Sequence, residues 1–330
     1  MNPRIPGNSG WARIAALTLL SAAASAQANP AKDYPHKPVR FIVQVVAGGG
    51  ADTTARVIAQ KLSELWGYQV VVDNRPGASG AIAMDITAKA APDGYTIGLI
   101  SASQSVHSAV SPKLPFDLTK DFAAISLATS LSYVLYHSPS VPVKSVKELI
   151  AYGKANPHKL NYGTSGNGGL QHLGIELFSS LSGARFAHVP YKGNPAAISA
   201  ALSGDIQFGL ATLFNVRPHM QTGRLRTLAI TAKKRSPSVP EIPTMAEAGV
   251  PGYELDSWYG VATNAKVPPV IIKKLHAGIV EALKAPDVLQ RLGADGSIAV
   301  GSSSDEFAAH IKSEIAKWRK LVKDAGLVLS

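Results

Sequence analysis

The sequence predicts an α/β fold of two domains. Three observations carry that expectation: short β-rich runs alternate with helical runs from Val39 onward, glycine-rich breaks separate them, and 330 residues with 46% hydrophobic content suffice for two modest cores. A charged fraction of 17% and the lack of any Cys exclude a disordered chain, a collagen and a disulfide scaffold.

The first segment reads as a leader. Arg4 and Arg13 precede an apolar run from Ile14 to Ala26 that closes on Ala24-Ser25-Ala26, the small-x-small pattern of a signal-peptidase site. At about 13 residues the run is shorter than the ~20 that span a bilayer. A cleavable signal peptide over residues 1–26 is therefore expected, cut after Ala26 or Ala28, and its loss takes the formal charge from +11 to +9. Without Cys the exported chain has no lipoprotein anchor and no thiolate zinc site, so a soluble protein beyond the inner membrane is expected. Its Lys and Arg are scattered among acids with no basic run interleaved with aromatics, which argues against a nucleic-acid groove. A mild positive field suits small anions.

Val39 to Val46 reads as a buried strand, broken by Gly48-Gly49-Gly50, and Asp52 opens a helix with Ala55, Ile58, Leu62 and Leu65 on one stripe, stopped at Gly67. Gln69 to Asp73 is the next strand, Asn74 to Gly77 a turn, and Tyr95 to Ser101 a third strand after Pro92-Asp93-Gly94. A second series begins near Pro142. Ser145 with Glu148 forms a capping box for a helix ending before Pro157, and Lys159 to Thr164 is a strand leading into Ser165-Gly166-Asn167-Gly168-Gly169. Leu170, Leu173, Leu177 and Leu181 stripe the following helix, Phe186 to Val189 is a strand, and Asn194-Pro195 caps another helix. Strands at Ile206 to Ala211 and Arg226 to Thr231 follow. Beyond Ser257-Trp258-Tyr259 come two helices, one after Pro268-Pro269 and one from about Ser303 striped by Phe307, Ile311, Ile315, Trp318 and Val322.

Enzyme signatures fail on spacing. Around Ser165 an Asn stands where a nucleophile elbow has its last Gly, and no glycine run ends as a P-loop or completes a dinucleotide fingerprint. The nine His are dispersed, so His172 and His188 read as packing or hydrogen-bonding residues before metal ligands. What remains is three junctions where a strand feeds a helix: residues 47–52, 165–169 and 191–194. There the free N–H groups of the first turn and the positive helix end face one point, which suits a carboxylate or phosphate. The candidate binding residues are Ala47, Gly48, Gly49, Gly50 and Asp52, Ser101 and Ser103 where the third strand ends, Ser165, Gly166, Asn167, Gly168, Gly169 and His172, then Tyr191, Lys192, Gly193 and Asn215. Asp52 reads equally as an N-cap, Lys192 as a solvated charge, Tyr191 as packing, Asn215 as a turn residue and Trp258 as core.

These residues carry a resemblance. Tyr34-Pro35 with Lys37-Pro38, Gly48 to Asp52, Asn74 to Ala78, Pro92 to Tyr95, Tyr162-Gly163 with Ser165 to Gly168 and His172-Leu173, His188 to Gly193, and Pro243-Thr244 with Glu247 to Gly249 resemble, in order from Tyr34 to about Gly326, the Bug receptors. These are the periplasmic substrate-binding proteins of tripartite tricarboxylate transporters. The resemblance implies an α/β, type II-like Venus flytrap with crossing hinge strands. Its domain I would comprise residues 37–137 plus 258–330 and its domain II residues 138–257, closing on a small organic carboxylate between them. It also implies that backbone groups and ordered water of loops 48–52 and 165–169 hold the carboxylate. No cofactor, no catalysed reaction and a monomer handing its ligand to membrane transporter subunits are expected. The family often has Pro before the triple glycine; here Val46-Ala47 stands instead, which makes that lip less rigid. Di- and tricarboxylates, aromatic and nicotinate-like acids and acidic amino acids stay open as ligands. Two other classes stay open as well: a ligand-sensing partner of a membrane kinase, and a secreted hydrolase using Ser165 with His172 or His188.

Overall fold

The computed structural model describes residues 33–325 except Gly49, Pro112, Lys113, Lys192, Pro237 and Asp295, together with Met1 and Pro3. Apart from those two terminal residues, the expected leader lies outside the described residues. From Val39 the chain builds β1 (Val39–Val43), α1 (Gly50–Trp66), β2 (Val70–Asn74), α2 (Ala81–Ala88), β3 (Thr96–Ser101) and α3 (Ala102–Val110). A long strand, β4 (Phe122–His137), leads to α4 (Val146–Ala155), β5 (Asn161–Thr164), α5 (Leu170–Ser182), β6 (Ala187–Pro190), α6 (Asn194–Ser203), β7 (Phe208–Thr212), α7 (Leu213–Gln221) and β8 (Arg226–Ile230). The chain ends with β9 (Asp256–Asn264), α8 (Pro269–Lys284), α9 (Pro286–Gly293), β10 (Ile298–Ala299) and α10 (Ser304–Ala325).

The strands run in the order β2-β1-β3-β9-β4-β7-β5-β6, with β8 and β10 also on β4. In one half β1 lies parallel between β2 and β3, and β9 is antiparallel to β3 and β4. In the other half β5 is parallel to β6 and β7, while β7 and β8 are antiparallel to β4. The strand β4 serves both halves, pairing with β9 from Phe122 to Ser132 and with β7 from Tyr133 to His137. The sheet therefore changes partners between two consecutive residues.

The alternation of β4 also divides the core. Tyr133 and Leu135 join a large cluster that runs through Ile42, Leu149, Tyr162, Leu210, Trp258 and Trp318, whereas Val134 and Tyr136 join a second cluster with Ile198, Ile206 and Val216. Trp258 is core: its ring meets Phe307 edge-on at 5.7 Å. Among the described residues no helix is long and apolar enough to cross a membrane.

Several boundaries differ from the sequence reading. β1 stops at Val43 rather than Val46, because its neighbour β2 ends opposite it at Asn74. The first helix begins at Gly50, so Asp52 lies inside its first turn instead of capping it. Gly193, with φ of +100°, rather than Asn194, is the N-cap of α6. The helices α2, α3, α7 and α9 and the strands β4, β9 and β10 were not anticipated. The Ala- and Ser-rich stretch 122–132 lacks the β-branched density that marks most strands.

Candidate ligand-binding cavity

A cavity of about 650 Å³ opens where the two halves of the sheet meet. Tyr133, the residue at which β4 changes partner, forms part of its wall together with Ser257 and Tyr259 of β9. Burial raises the Tyr133 hydroxyl above its ordinary pKa range, and a hydrogen bond with Ser257 opposes that rise. Ser257 and Tyr259 flank buried Trp258, so the period of two in β9 turns both toward the cavity.

One wall is a face of α3. Ser103, His107, Val110 and Ser111 follow at helical spacing along it, which makes a wall roughly 12 Å long. At its N-terminal end Gln104 Oε1 takes the Ser101 N–H at 2.9 Å and the Ser101 hydroxyl at 2.6 Å, and Gln104 Nε2 donates to Ser79 O at 3.1 Å. Gly80 is obligatory beside this amide, since a Cβ there would stand 2.3 Å from Gln104 Nε2 and φ is +90°. Gln44, just past β1, completes the amide cluster with Nε2 3.4 Å from Gln104 Oε1.

The opposite wall is the loop from β5 into α5. Ser165, Asn167, Gly168, Gly169, Leu170 and Gln171 line it. The Ser165 hydroxyl donates to Gln171 Oε1 at 2.8 Å, and Gln171 Nε2 donates to Asn194 Oδ1 at 3.1 Å. Two of the loop's backbone donors are already engaged. Gly166 N donates to Thr164 Oγ1 at 3.3 Å, and Gly168 N to His172 Nδ1 at 3.1 Å.

Among the described residues no Lys, Arg, Asp or Glu side chain lines this cavity. His107 is the lone imidazole among them, and burial lowers its pKa, which keeps it neutral at pH 7. An anion here meets hydroxyls, carboxamides and the N-terminal ends of α3 and α5, a neutral set whose N–H groups and helix dipoles favour negative charge. Among the described residues no group of three His, Asp or Glu side chains is placed to hold a metal ion.

Of the residues expected at the site, Ser101, Ser103, Ser165, Asn167, Gly168 and Gly169 line the cavity. Gly166 belongs to the same loop, and His172 stands behind it as the acceptor of Gly168. After β1 the lining takes Gln44, Val45 and Ala51; of the other described residues of the 47–52 stretch, Ala47, Gly48, Gly50 and Asp52 are not part of it, although a Cβ on Gly50 would sit 3.4 Å from the Tyr259 hydroxyl. Asp52 is buried, and its carboxylate is fully engaged by Gly48, Arg56 and Asn74. The third junction is one step removed from the cavity, reaching it through Asn194 and Gln171. There Tyr191 N donates to Thr164 O at 3.0 Å and Gly193 caps α6. Asn215 is half-buried at the start of α7, its N–H on Thr212 Oγ1 at 3.4 Å. Gly49 and Lys192 lie outside the described residues. Gln44, Ser79, Gln104, His107, Tyr133, Gln171, Ser257 and Tyr259 were missed; for Ser257 and Tyr259 the alternation about Trp258 was the available signal.

The Ser165 hydroxyl is bonded to an amide rather than to an imidazole, so no nucleophile and base are paired here. A two-part α/β sheet with a cavity at converging helix ends, lined among the described residues by no charged side chain, suits the binding of a small solute. The chain belongs to the tripartite tricarboxylate transporter family receptors, whose family model matches residues 54–327. A protein of R. palustris solved with adipate is 34% identical, with a TM-score of 0.75 over 89% of this chain and 98% of its own. The periplasmic binding protein BugD is 28% identical, with a TM-score of 0.73 over 89% of this chain and 99% of its own. MatC of Rhodopseudomonas palustris, with bound malate, is 29% identical, with a TM-score of 0.73 over 88% and 100% of the two chains. The family is one of receptors and not of enzymes.

Proposed function

We propose that the chain is an extracytoplasmic receptor that binds a small organic carboxylate in the cavity between β3–α3 and β5–α5 and hands it to a tripartite tricarboxylate transporter. The observation that carries this reading is the cavity wall: N-terminal helix ends and neutral donors converge on it, and among the described residues no charged side chain lines it. Adipate and malate in the related structures support a dicarboxylate within that class. Residues 1–26 act as an export signal, and the mature protein works as a periplasmic monomer. Residues 37–137 plus 258–330 form one domain and 138–257 the other, and the closed form is favoured to the extent that the ligand binds it more tightly than the open one. The hinge falls near Ser132 and Tyr133, where β4 changes partner and the Ser132 hydroxyl holds Asp256 Oδ1 at 2.7 Å.

Thermal unfolding against a panel of di- and tricarboxylates, aromatic acids and acidic amino acids tests the proposal, with native mass spectrometry of the purified protein to detect a ligand carried along. A ligand at about a hundredfold excess over Kd stabilises by about 2.7 kcal/mol. A panel that gives no stabilisation, together with hydrolysis of simple esters, would overturn the reading.

A further inference from the structure

Behind the 165–169 loop lies a polar cluster that contributes no side chain to the cavity wall. The His172 and His188 rings stack with centroids 3.9 Å apart and planes 12° apart, and Tyr162 stacks against His188 at 5.0 Å. Each imidazole ties down one part of the loop. His172 Nδ1 accepts the Gly168 N–H at 3.1 Å. His188 Nε2 lies 2.7 Å from Thr164 Oγ1, whose hydroxyl donates to Gly166 O at 2.9 Å.

The first of these bonds sets a tautomer. A ring nitrogen that accepts an N–H carries no proton, so His172 is neutral with its hydrogen on Nε2, 4.0 Å from Glu176 Oε1. Thr164 Oγ1 bridges Gly166 O and His188 Nε2; with its hydroxyl hydrogen on Gly166, the Nε2–H tautomer of His188 completes the bridge. Gly168 adopts φ of +68°, a left-handed conformation, and its N–H is taken by the His172 acceptor.

We infer that the neutral, stacked pair of His172 and His188 positions the 165–169 loop for ligand, with His172 as the positioning residue that sets the direction of the Gly168 peptide. The inference rests on the carboxylate reading of the cavity and adds to it a requirement that the pair stay uncharged. Two cations stacked at 3.9 Å repel, so the pair resists a second proton. The titratable groups facing it are Glu176 on α5 and Tyr162 on β5, whose hydroxyl donates to Glu176 Oε1 at 2.6 Å; Phe208 of β7 adds only an uncharged ring against Tyr162. Burial holds His172 below its ordinary range against the pull of Glu176, and burial with the neighbouring His172 takes His188 down to about 4. Acidification places the incoming proton of His172 on Nδ1, where it displaces the Gly168 N–H.

The test has a ligand-free arm and a binding arm. In the free protein, followed by NMR from about pH 7 to about pH 4, the Gly168 amide should shift with the His172 ring, which should show the Nε2–H tautomer at the upper end. His172→Leu should abolish that coupling, whereas His172→Asn places an oxygen acceptor near the former Nδ1 and cannot titrate. In calorimetric titrations with malate and adipate as probes, His172→Leu should weaken binding about tenfold and His172→Asn should recover it to within about threefold of wild type. The ligand's own titration is common to all variants, so only the wild type should lose additional affinity on acidification. A Gly168 amide that ignores both pH and His172→Leu overturns the inference, as does unchanged probe affinity in His172→Leu. If neither probe nor any other carboxylate binds the wild type, the carboxylate reading fails, and the amide titration alone decides whether His172 positions the loop. Should His172→Leu not fold, the comparison of wild type with His172→Asn carries both arms.

Discussion

Asp52 reaches back four residues to accept the Gly48 N–H at 2.9 Å, closing the glycine-rich loop on the first turn of its own helix. The same carboxylate accepts Arg56 Nε at 2.9 Å and Asn74 Nδ2 at 2.8 Å, and it is almost entirely shielded from solvent. It is a staple that holds the loop from β1 to α1 against the end of β2.

Asp52→Asn should therefore destabilise the protein, since an amide turned toward any of three donors leaves one of them unmet, at a cost of about 1–3 kcal/mol. Arg56 is half exposed, so little of that comes from the ion pair itself. Burial pushes the Asp52 pKa up, but hydrogen bonds from Arg56, Gly48 and Asn74 outweigh it and hold the carboxyl below its ordinary range. The stabilisation is thus present above the unfolded-state pKa and is lost as pH falls through the depressed one. Thermal unfolding of the variant at neutral and acid pH checks both statements; equal midpoints to wild type throughout would show the staple to be dispensable.

Gly168 and Gly169 should respond differently to substitution. Gly168→Val forces a β-branched side chain into a left-handed conformation and should lose stability, by about 1–2 kcal/mol or more, along with affinity. Gly169 has φ of −73°, and a Cβ there would meet Gly166 O at 3.7 Å and Ser165 Oγ at 3.8 Å, ordinary contacts. Gly169→Ala should fold with an unfolding midpoint near wild type yet bind ligand more weakly, because the methyl enters the cavity wall. Calorimetric titration beside thermal unfolding separates the two effects, and full affinity in Gly169→Ala would remove this stretch from the binding surface.

Gln171 links the loop to α6, accepting from Ser165 and donating to Asn194. Gln171→Glu keeps the acceptor and adds a negative charge to a wall whose described residues carry none. Two like charges about 4 Å apart repel by roughly 4 kcal/mol at an effective dielectric of 20, so carboxylate affinity should collapse near neutral pH and partly return as the new carboxyl is protonated. An affinity equal to wild type at neutral pH would mean that the anion does not approach this helix end.

Stability should begin to decline on acidification at pH values above the ordinary carboxylate range. The folded-state pKa values of His172 and His188 lie below the unfolded value of 6.5, that of His188 at about 4. Between these limits the unfolded chain binds protons that the folded chain refuses, so stability falls with pH from about 6.5 to about 4 and the His188 contribution is complete above that window. The loss from His188, discounted for its partial exposure, is on the order of 2 kcal/mol. Denaturant unfolding at stepped pH measures it, and His188→Gln should flatten the slope; a slope of the same size in that variant would assign the effect elsewhere.

Much of the scaffold was legible because it is written locally. Ala55, Ile58 and Leu62 of the α1 stripe, the Ser145–Glu148 cap of α4, where the Glu148 N–H meets Ser145 Oγ at 3.2 Å, and the stripe of Phe307, Ile311, Ile315 and Trp318 in α10 are found where expected, whereas Leu65, past the last buried turn of α1, is exposed. The strand β4 was not legible. Its first half is Ala- and Ser-rich and lies between β9 and β10, so cross-strand pairing rather than propensity holds it extended. The α3 wall was missed for a different reason: its helix begins immediately after β3 with no glycine break, and its start is marked by the Ser101-x-x-Gln104 capping box, a local signal that went unread.

By itself the sequence determined the strand-to-helix junctions, the glycines that let a ligand approach backbone, and the absence of Cys chemistry. All of these depend on residue identity and on neighbours within a helical turn or two. Only the tertiary structure decided which junctions face the same space. It joined the 165–169 loop to Ser101, Gln104, Tyr133 and Tyr259, linked the described residues of the third junction to the cavity through Gln171, and spent the N–H groups of Gly48, Gly166 and Gly168 on Asp52, Thr164 and His172. The reason is physical: whether a backbone donor is free for a ligand depends on where side chains come to rest once the sheet has formed. His188 reaches Thr164 from β6, and β9 carries Tyr259 to the cavity, through strand pairings between segments distant in sequence; local alternation sets only the side of β9 on which Tyr259 lies.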